Sequence, residues 1–145
     1  MKNIFKFTPE LILAKGRFAF EGQYFYAIAY RKYDLKAFHG QGAYGFLRAI
    51  VKGNDYGYSA FDGCLATPAP KSMELVLGNN FSDVTDSKAG IYGGISNNAS
   101  LTFNYYINKY LVWRVNYSYT QVRNQGAGVP DHHANIFQIR IQIVF

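Results

Sequence analysis

Residues 135–145 read NIFQIRIQIVF. Phe137, Ile139, Ile141, Ile143 and Phe145 fall on one parity, and Gln138, Arg140 and Gln142 on the other. Alternation at period two puts apolar side chains on one face of a β-strand and polar ones on the opposite face. In a water-soluble sandwich, an apolar edge strand of this kind would template aggregation. A transmembrane barrel has a use for it. Its strands run about 9–11 residues, apolar toward lipid and polar toward the lumen, and closure removes the edge. The stretch therefore predicts a barrel strand with Phe137, Ile139, Ile141 and Phe145 facing the membrane and Arg140 facing the interior.

Working outward, the same period recurs. From 17 to 32, Phe18, Phe20, Gly22, Tyr24, Tyr26, Ile28 and Tyr30 share one parity; Arg17, Ala19, Glu21, Gln23, Ala27, Ala29 and Arg31 share the other, with Phe25 as an exception. Met73, Leu75, Leu77 and Phe81 oppose Glu74, Gly78 and Asn80. Leu101, Phe103, Tyr105 and Ile107 oppose Ser100, Thr102, Asn104 and Tyr106. After a two-residue turn at Asn108-Lys109, the strongest hairpin spacing in the chain, Leu111, Trp113, Val115, Tyr117 and Tyr119 oppose Arg114, Asn116, Ser118 and Thr120. A weaker strand candidate spans 10–14, after Pro9 and before a Lys15-Gly16 turn. Loops are expected at 33–41, 53–70, 82–94 and 122–134. Outer-membrane barrels alternate short periplasmic turns with longer outer loops. Five of the six connections follow that rule with the C-terminus periplasmic; 53–70 breaks it.

Bulk composition agrees. The 145 residues make one domain, and charged residues are 17% where an average domain has about a quarter. Aromatics reach 18%, with 13 Tyr and 12 Phe. Mean hydropathy is −0.13, and no apolar run approaches the roughly 18 residues of a membrane helix. Barrel strands escape hydropathy because half their residues are polar. The net charge is +6 and the pI near 9.4, but the basic residues are scattered, which argues against nucleic acid. The single cysteine, Cys64, excludes an intramolecular disulfide framework. The N-terminal MKNIFKFTPELIL lacks the apolar core of a signal peptide, so an exported chain would be a mature form, a fragment or a wrongly assigned start.

Two motifs point elsewhere and carry less. Gly40, Gly42 and Gly45 satisfy G-x-G-x-x-G, which binds a dinucleotide only between a parallel strand and a helix. Residues 44–51 fit a helix as well as a strand, so a nucleotide site stays open beside glycines in a curved strand. Asp131, His132 and His133 sit in a Gly/Pro loop with no third ligand at useful spacing. No Ser or Cys nucleophile has an identifiable base, so neither catalysis, a metal nor a cofactor is expected.

Taken together, FEGQYFYAIAYRKY (20–33), GAYGFLRAIVKGNDYGY (42–58), PKSMELVLGNNFSDV (70–84), LTFNYYINKYLVWRVNYSYTQV (101–122) and FQIRIQIVF (137–145) resemble the C-terminal part of the phosphate-selective porin O and P family. The terminal alternating strand also resembles the assembly signal of bacterial outer-membrane proteins. Order and spacing carry the likeness. Lys52, Gly53 and Asn54 stand where the family has Thr-Gly-Glu, and Gly78 or Asn79 where it has an arginine. The family carries its own long loop at the position of 53–70.

The resulting expectation is an all-β, antiparallel transmembrane β-barrel segment of about seven strands, an incomplete part of a sixteen-stranded porin. The resemblance implies an outer-membrane location, passive diffusion of small phosphate-like anions, contact with lipid and the barrel assembly machinery, and a homotrimer for a full porin. Arg17, Arg31, Arg48, Arg114 and Arg140 are the expected pore-lining residues, with Glu21 and Glu74 able to neutralise them instead. Trp113, Tyr117, Phe137, Ile139, Ile141 and Phe145 are the expected membrane-facing set. Two alternatives make distinct geometric demands. A complete eight-stranded barrel with a structural or adhesive role requires a closed sheet. A soluble β-barrel binding an apolar ligand requires Trp113, Phe137 and Ile141 turned inward.

Overall fold

The computed structural model describes residues 3–33, 35–61, 63–124, 126 and 128–143. The protein is all-β. Its main sheet has eight strands: β1 (Asn3–Phe7), β2 (Glu10–Lys15), β3 (Phe18–Tyr30), β4 (Phe38–Lys52), β7 (Met73–Asp86), β8 (Ile91–Tyr106), β9 (Leu111–Arg123) and β10 (His132–Ile143). A two-stranded sheet, β5 (Tyr58–Ser59) with β6 (Cys64–Leu65), lies in the 53–72 connection. Every pairing is antiparallel and the order is β1-β3-β4-β7-β8-β9-β10, with β2 also on β3. The sheet is not closed: β10 pairs only with β9. An eight-stranded closed barrel is thereby ruled out for the described chain.

β1 and β2 are one strand in two pieces. Phe7 pairs with Tyr26 and Glu10 with Gln23, so the register runs through unchanged. Between them lies Pro9, whose carbonyl accepts the Tyr24 N–H at 3.1 Å but which has no N–H to return. The weak candidate at 10–14 thus extends back to Asn3, and the sheet has seven strand positions.

Register keeps one parity on one face from edge to edge. Leu13 pairs with Phe20, Phe20 with Leu47, Leu47 with Leu77, Leu77 with Leu101, Leu101 with Tyr117, and Tyr117 with Phe137. These side chains form an apolar face exposed across its width; Phe137, Ile139 and Ile141 are 66%, 62% and 65% exposed. The chain presents 9941 Å² of accessible surface, against about 7,500 Å² for a compact monomer of its mass. Among the described residues the sheet is a single layer, with no second layer over the apolar face.

Several boundaries differ from expectation. The region 82–94 is mostly strand: β7 and β8 are joined by a single 3-10 turn, Ser87–Ala89, with Asp86 accepting the Ala89 N–H and Gly90 at φ 71°. Side-chain polarity in SDVTD (82–86) hid the end of the strand, because polar residues here fall on both faces. β4 begins at Phe38, so Gly40, Gly42 and Gly45 lie inside a long antiparallel strand, and 44–51 is not helical. That removes the nucleotide reading. The β2–β3 turn is Gly16-Arg17, with Gly16 at φ 58°. The β8–β9 loop is 107–110, where Asn108 Oδ1 accepts the Tyr110 N–H. One end of the sheet, the lower, carries 16–17, 53–72 and 107–110; the upper carries 31–37, 87–90 and 124–131. The longest connection is therefore on the side of the short turns.

Close packing explains one interior glycine. A Cβ at Gly78 would stand 2.8 Å from the Phe46 ring and 2.6 Å from Ser100 Oγ. Gly78→Val is expected to destabilise the sheet by about 1–3 kcal/mol, read as a lower urea midpoint with unchanged slope.

Candidate functional site: the polar face

The parity opposite the apolar face carries the charged and amide side chains. Glu74 on β7 pairs by register with Asn104 on β8, Asn104 with Arg114 on β9, and Arg114 with Arg140 on β10. The four side chains therefore form one row across four strands. Arg48 on β4 joins it diagonally, donating from Nε to Glu74 Oε1 at 2.9 Å and from Nη1 to Glu21 Oε2 at 3.0 Å.

Glu74 is the centre of this network. Its side chain is fully buried. Oε1 accepts from Arg48 and from the Tyr56 hydroxyl at 2.6 Å; Oε2 accepts from Asn104 Nδ2 at 2.7 Å and the Tyr106 hydroxyl at 2.8 Å. A carboxylate can accept about four bonds, so this one is saturated. A charge removed from water costs several kcal/mol unless so paired. Asn104 then accepts from Arg114 Nε at 2.6 Å through its carbonyl oxygen, passing the polarity one strand further.

The 53–72 connection folds onto this face at the lower end. Tyr56 donates its backbone N–H to Gly16 O and its hydroxyl to Glu74, and its ring lies 5.8 Å under the Arg48 guanidinium. Leu65, on β6, is buried. Burial, and then the bond to Glu74, hold the Tyr56 hydroxyl well above the ordinary phenol range, so it remains a donor. Gly53, at φ 131°, lets Ser72 approach: a Cβ there would collide with Ser72 Oγ. Sequence reading offered no sign of this contact, since Tyr56 lies in an aperiodic Gly/Asp/Tyr stretch.

The five arginines separate into three groups. Arg48 lies on the polar face but is neutralised by Glu21 and Glu74. Arg114 and Arg140 face the same side across adjacent strands, with no carboxylate in ion-pair reach among the described residues. With Thr102, Asn116 and Gln138 they line an open groove of about 620 Å³. Arg17 sits in the lower turn 3.8 Å from Asp55, mostly exposed. Arg31 is past the end of β3, donating to Lys36 O and Ala89 O at 2.7 Å each. It ties two upper connections together rather than joining the polar face of the sheet. The parity rule fails for both because neither is inside the ladder.

Of the six membrane-facing expectations, Trp113, Tyr117, Phe137, Ile139 and Ile141 lie on the exposed apolar face; Phe145 lies outside the described residues. This placement is opposite to that required of an inward apolar-ligand site. Phe25, the parity exception, packs on the polar face against Tyr44 (5.9 Å between centroids), which meets Phe46 at 5.3 Å. His132 and His133 take opposite faces of β10, and Asp131 accepts the Asn124 N–H instead of joining them.

Searches against family models, curated proteins and solved structures return no match.

Removing Glu74 would strand Arg48 and free Tyr56. Glu74→Ala is expected to cost about 3–5 kcal/mol and to expose 53–72 to protease. Arg17→Ala, which breaks a solvent-exposed pair, should cost below about 1 kcal/mol. Urea titration and limited proteolysis of the two variants check the contrast.

Proposed function

We propose that this chain is part of the wall of an outer-membrane β-barrel, with its apolar face against lipid and its polar face lining an aqueous lumen that passes small anions. The observation that supports this best is the pairing of one uninterrupted exposed apolar face with one polar face in a single layer. A water-soluble protein seldom exposes a patch of that extent, whereas lipid is a fitting neighbour for it. The resemblance of the sequence segments to phosphate-selective porins adds the class of solute. Arg114 and Arg140 are the residues for it: two uncompensated guanidinium groups beside a groove attract anions and offer charge-assisted hydrogen bonds to phosphate oxygens. Arg48 contributes by bracing the wall. No covalent step is involved; the basic lumen lowers the electrostatic barrier to entry.

Trp113 is the only tryptophan and it lies on the apolar face, so it reports the assignment directly. On reconstitution into phosphatidylcholine vesicles, its fluorescence should shift to the blue and be quenched by brominated acyl chains rather than by aqueous iodide. Quenching by iodide alone would sink the membrane reading. With an open sheet whose edge groups are unsatisfied in lipid, the chain by itself should add no ion conductance. Where the barrel is complete, Arg114→Glu with Arg140→Glu should lower the anion-to-cation permeability ratio, measured as a shift in reversal potential.

A further inference from the structure

The sheet has seven strand positions in an unbroken antiparallel meander, and an odd number has a consequence for its two free edges. β1 and β2 run from the upper end to the lower; β10, six steps on, runs the same way. The two edges are therefore co-directional. Joining β10 to the β1–β2 strand, within one molecule or head to tail between equally oriented copies, would create a parallel pair. Antiparallel closure needs a partner whose outermost strands both run from lower to upper. In a meander, such a partner has an odd number of strands.

Both edges keep a row of outward backbone donors, although the β1–β2 edge also carries Lys6, Glu10 and Lys15. In an antiparallel pair, a residue's N–H and C=O point to the same neighbour. Because the Pro9 carbonyl bonds to Tyr24 on β3, its missing N–H also faces β3. The outward groups alternate with it and belong to Ile4, Lys6, Thr8, Glu10, Ile12 and Ala14, all able to donate. Edge prolines that protect a sheet do the reverse, turning the missing donor outward. β10 has no proline, no lysine and no bulge in its pairing with β9. At that edge the polar row stops at Arg140, a cation with no carboxylate in ion-pair reach among the described residues.

We propose that the two free edges form one docking surface for a β-segment with an odd number of strands. Its strands alternate apolar and polar residues in phase with the faces of this sheet, and it offers an acidic or amide side chain level with Arg140. Further copies of this chain in the same orientation do not satisfy it. The inference rests on the barrel-wall reading but is tested in detergent, where edge pairing does not depend on insertion; failure of Trp113 quenching by lipid would overturn the reading separately.

The probe is a synthetic peptide of residues 111–123 with Arg114→Glu, an amphipathic strand that sets an acidic side chain level with Arg140 in the β9 register, carrying cysteine at either its N- or C-terminus. The full chain, with Cys64→Ser, carries one new cysteine on a free edge: Ile4→Cys or Ala134→Cys at the upper end, Ala14→Cys or Gln142→Cys at the lower. The N-terminal thiol should form disulfides at 14 and 142 with loss of product at 4 and 134. The C-terminal thiol should give the inverse, and both edges should show the same pattern. Opposite patterns at the two edges would show that they are not co-directional. Absence of product at every position would show that the edges do not accept strands. Two peptide-free outcomes would also overturn the proposal. One is a disulfide between copies joining Ala14→Cys to Gln142→Cys, the mark of parallel closure. The other is a Gln138→Cys homodimer, the mark of inverted β10–β10 pairing.

Discussion

Register is the constraint on which the rest of this structure depends. A strand has a side-chain period of two, so a slip of one residue at any of the inter-strand ladders would carry apolar side chains to the polar face. The ladder from Leu13 through Leu47, Leu101 and Phe137 stays in phase over the whole sheet. Where register does shift, between Ile50 and Lys52 and between Asp83 and Thr85, the shift lies near a strand end and leaves the central rows undisturbed. The polar row from Glu74 to Arg140 exists because of that phase. None of its members is adjacent to another in sequence.

The same dependence explains what could be read without coordinates. Strands whose two faces differ strongly in polarity, β3, β9 and β10, are legible from alternation alone. β7 is legible through Phe81, where Met73, Leu75, Leu77 and Phe81 mark the apolar side, and loses its signal in the SDVTD run that completes it. β4 is ambiguous because three glycines dilute its pattern while Phe46, Leu47, Ile50 and Val51 mimic a helical stripe. Arginine placement was legible only inside the ladder, for Arg48, Arg114 and Arg140. Parity has no meaning in the turn that holds Arg17 or past the strand end at Arg31. The Tyr56–Glu74 bond was invisible, since nothing local marks a tyrosine that folds back onto a strand it precedes by 18 residues.

Arg48 and Arg140 illustrate two uses of one residue type on one face. At Arg48, two carboxylates and an aromatic ring fix the guanidinium and cancel its charge. Its value is geometric, holding β3, β4 and β7 at a common spacing. At Arg140, no such partners stand in range among the described residues, and the guanidinium keeps its charge for whatever occupies the groove. A count of arginines on this face would treat the two alike, although only one keeps an uncancelled charge.

The packing of 53–72 against the lower end has a mechanical consequence. Ile50, Leu65, Ser72, Glu74, Asn104, Tyr106 and Val112 are all buried and all lie at that end, whereas near the upper end the described residues show only Ala29 and the glycines Gly42 and Gly94 buried. Local opening costs less where fewer side chains are covered. The sheet is thus graded along its strands, stiff below and compliant above, like a fan held at its pivot. Thermal breathing will splay the upper strand ends first, while the row around Glu74 stays closed and carries the register back when they return.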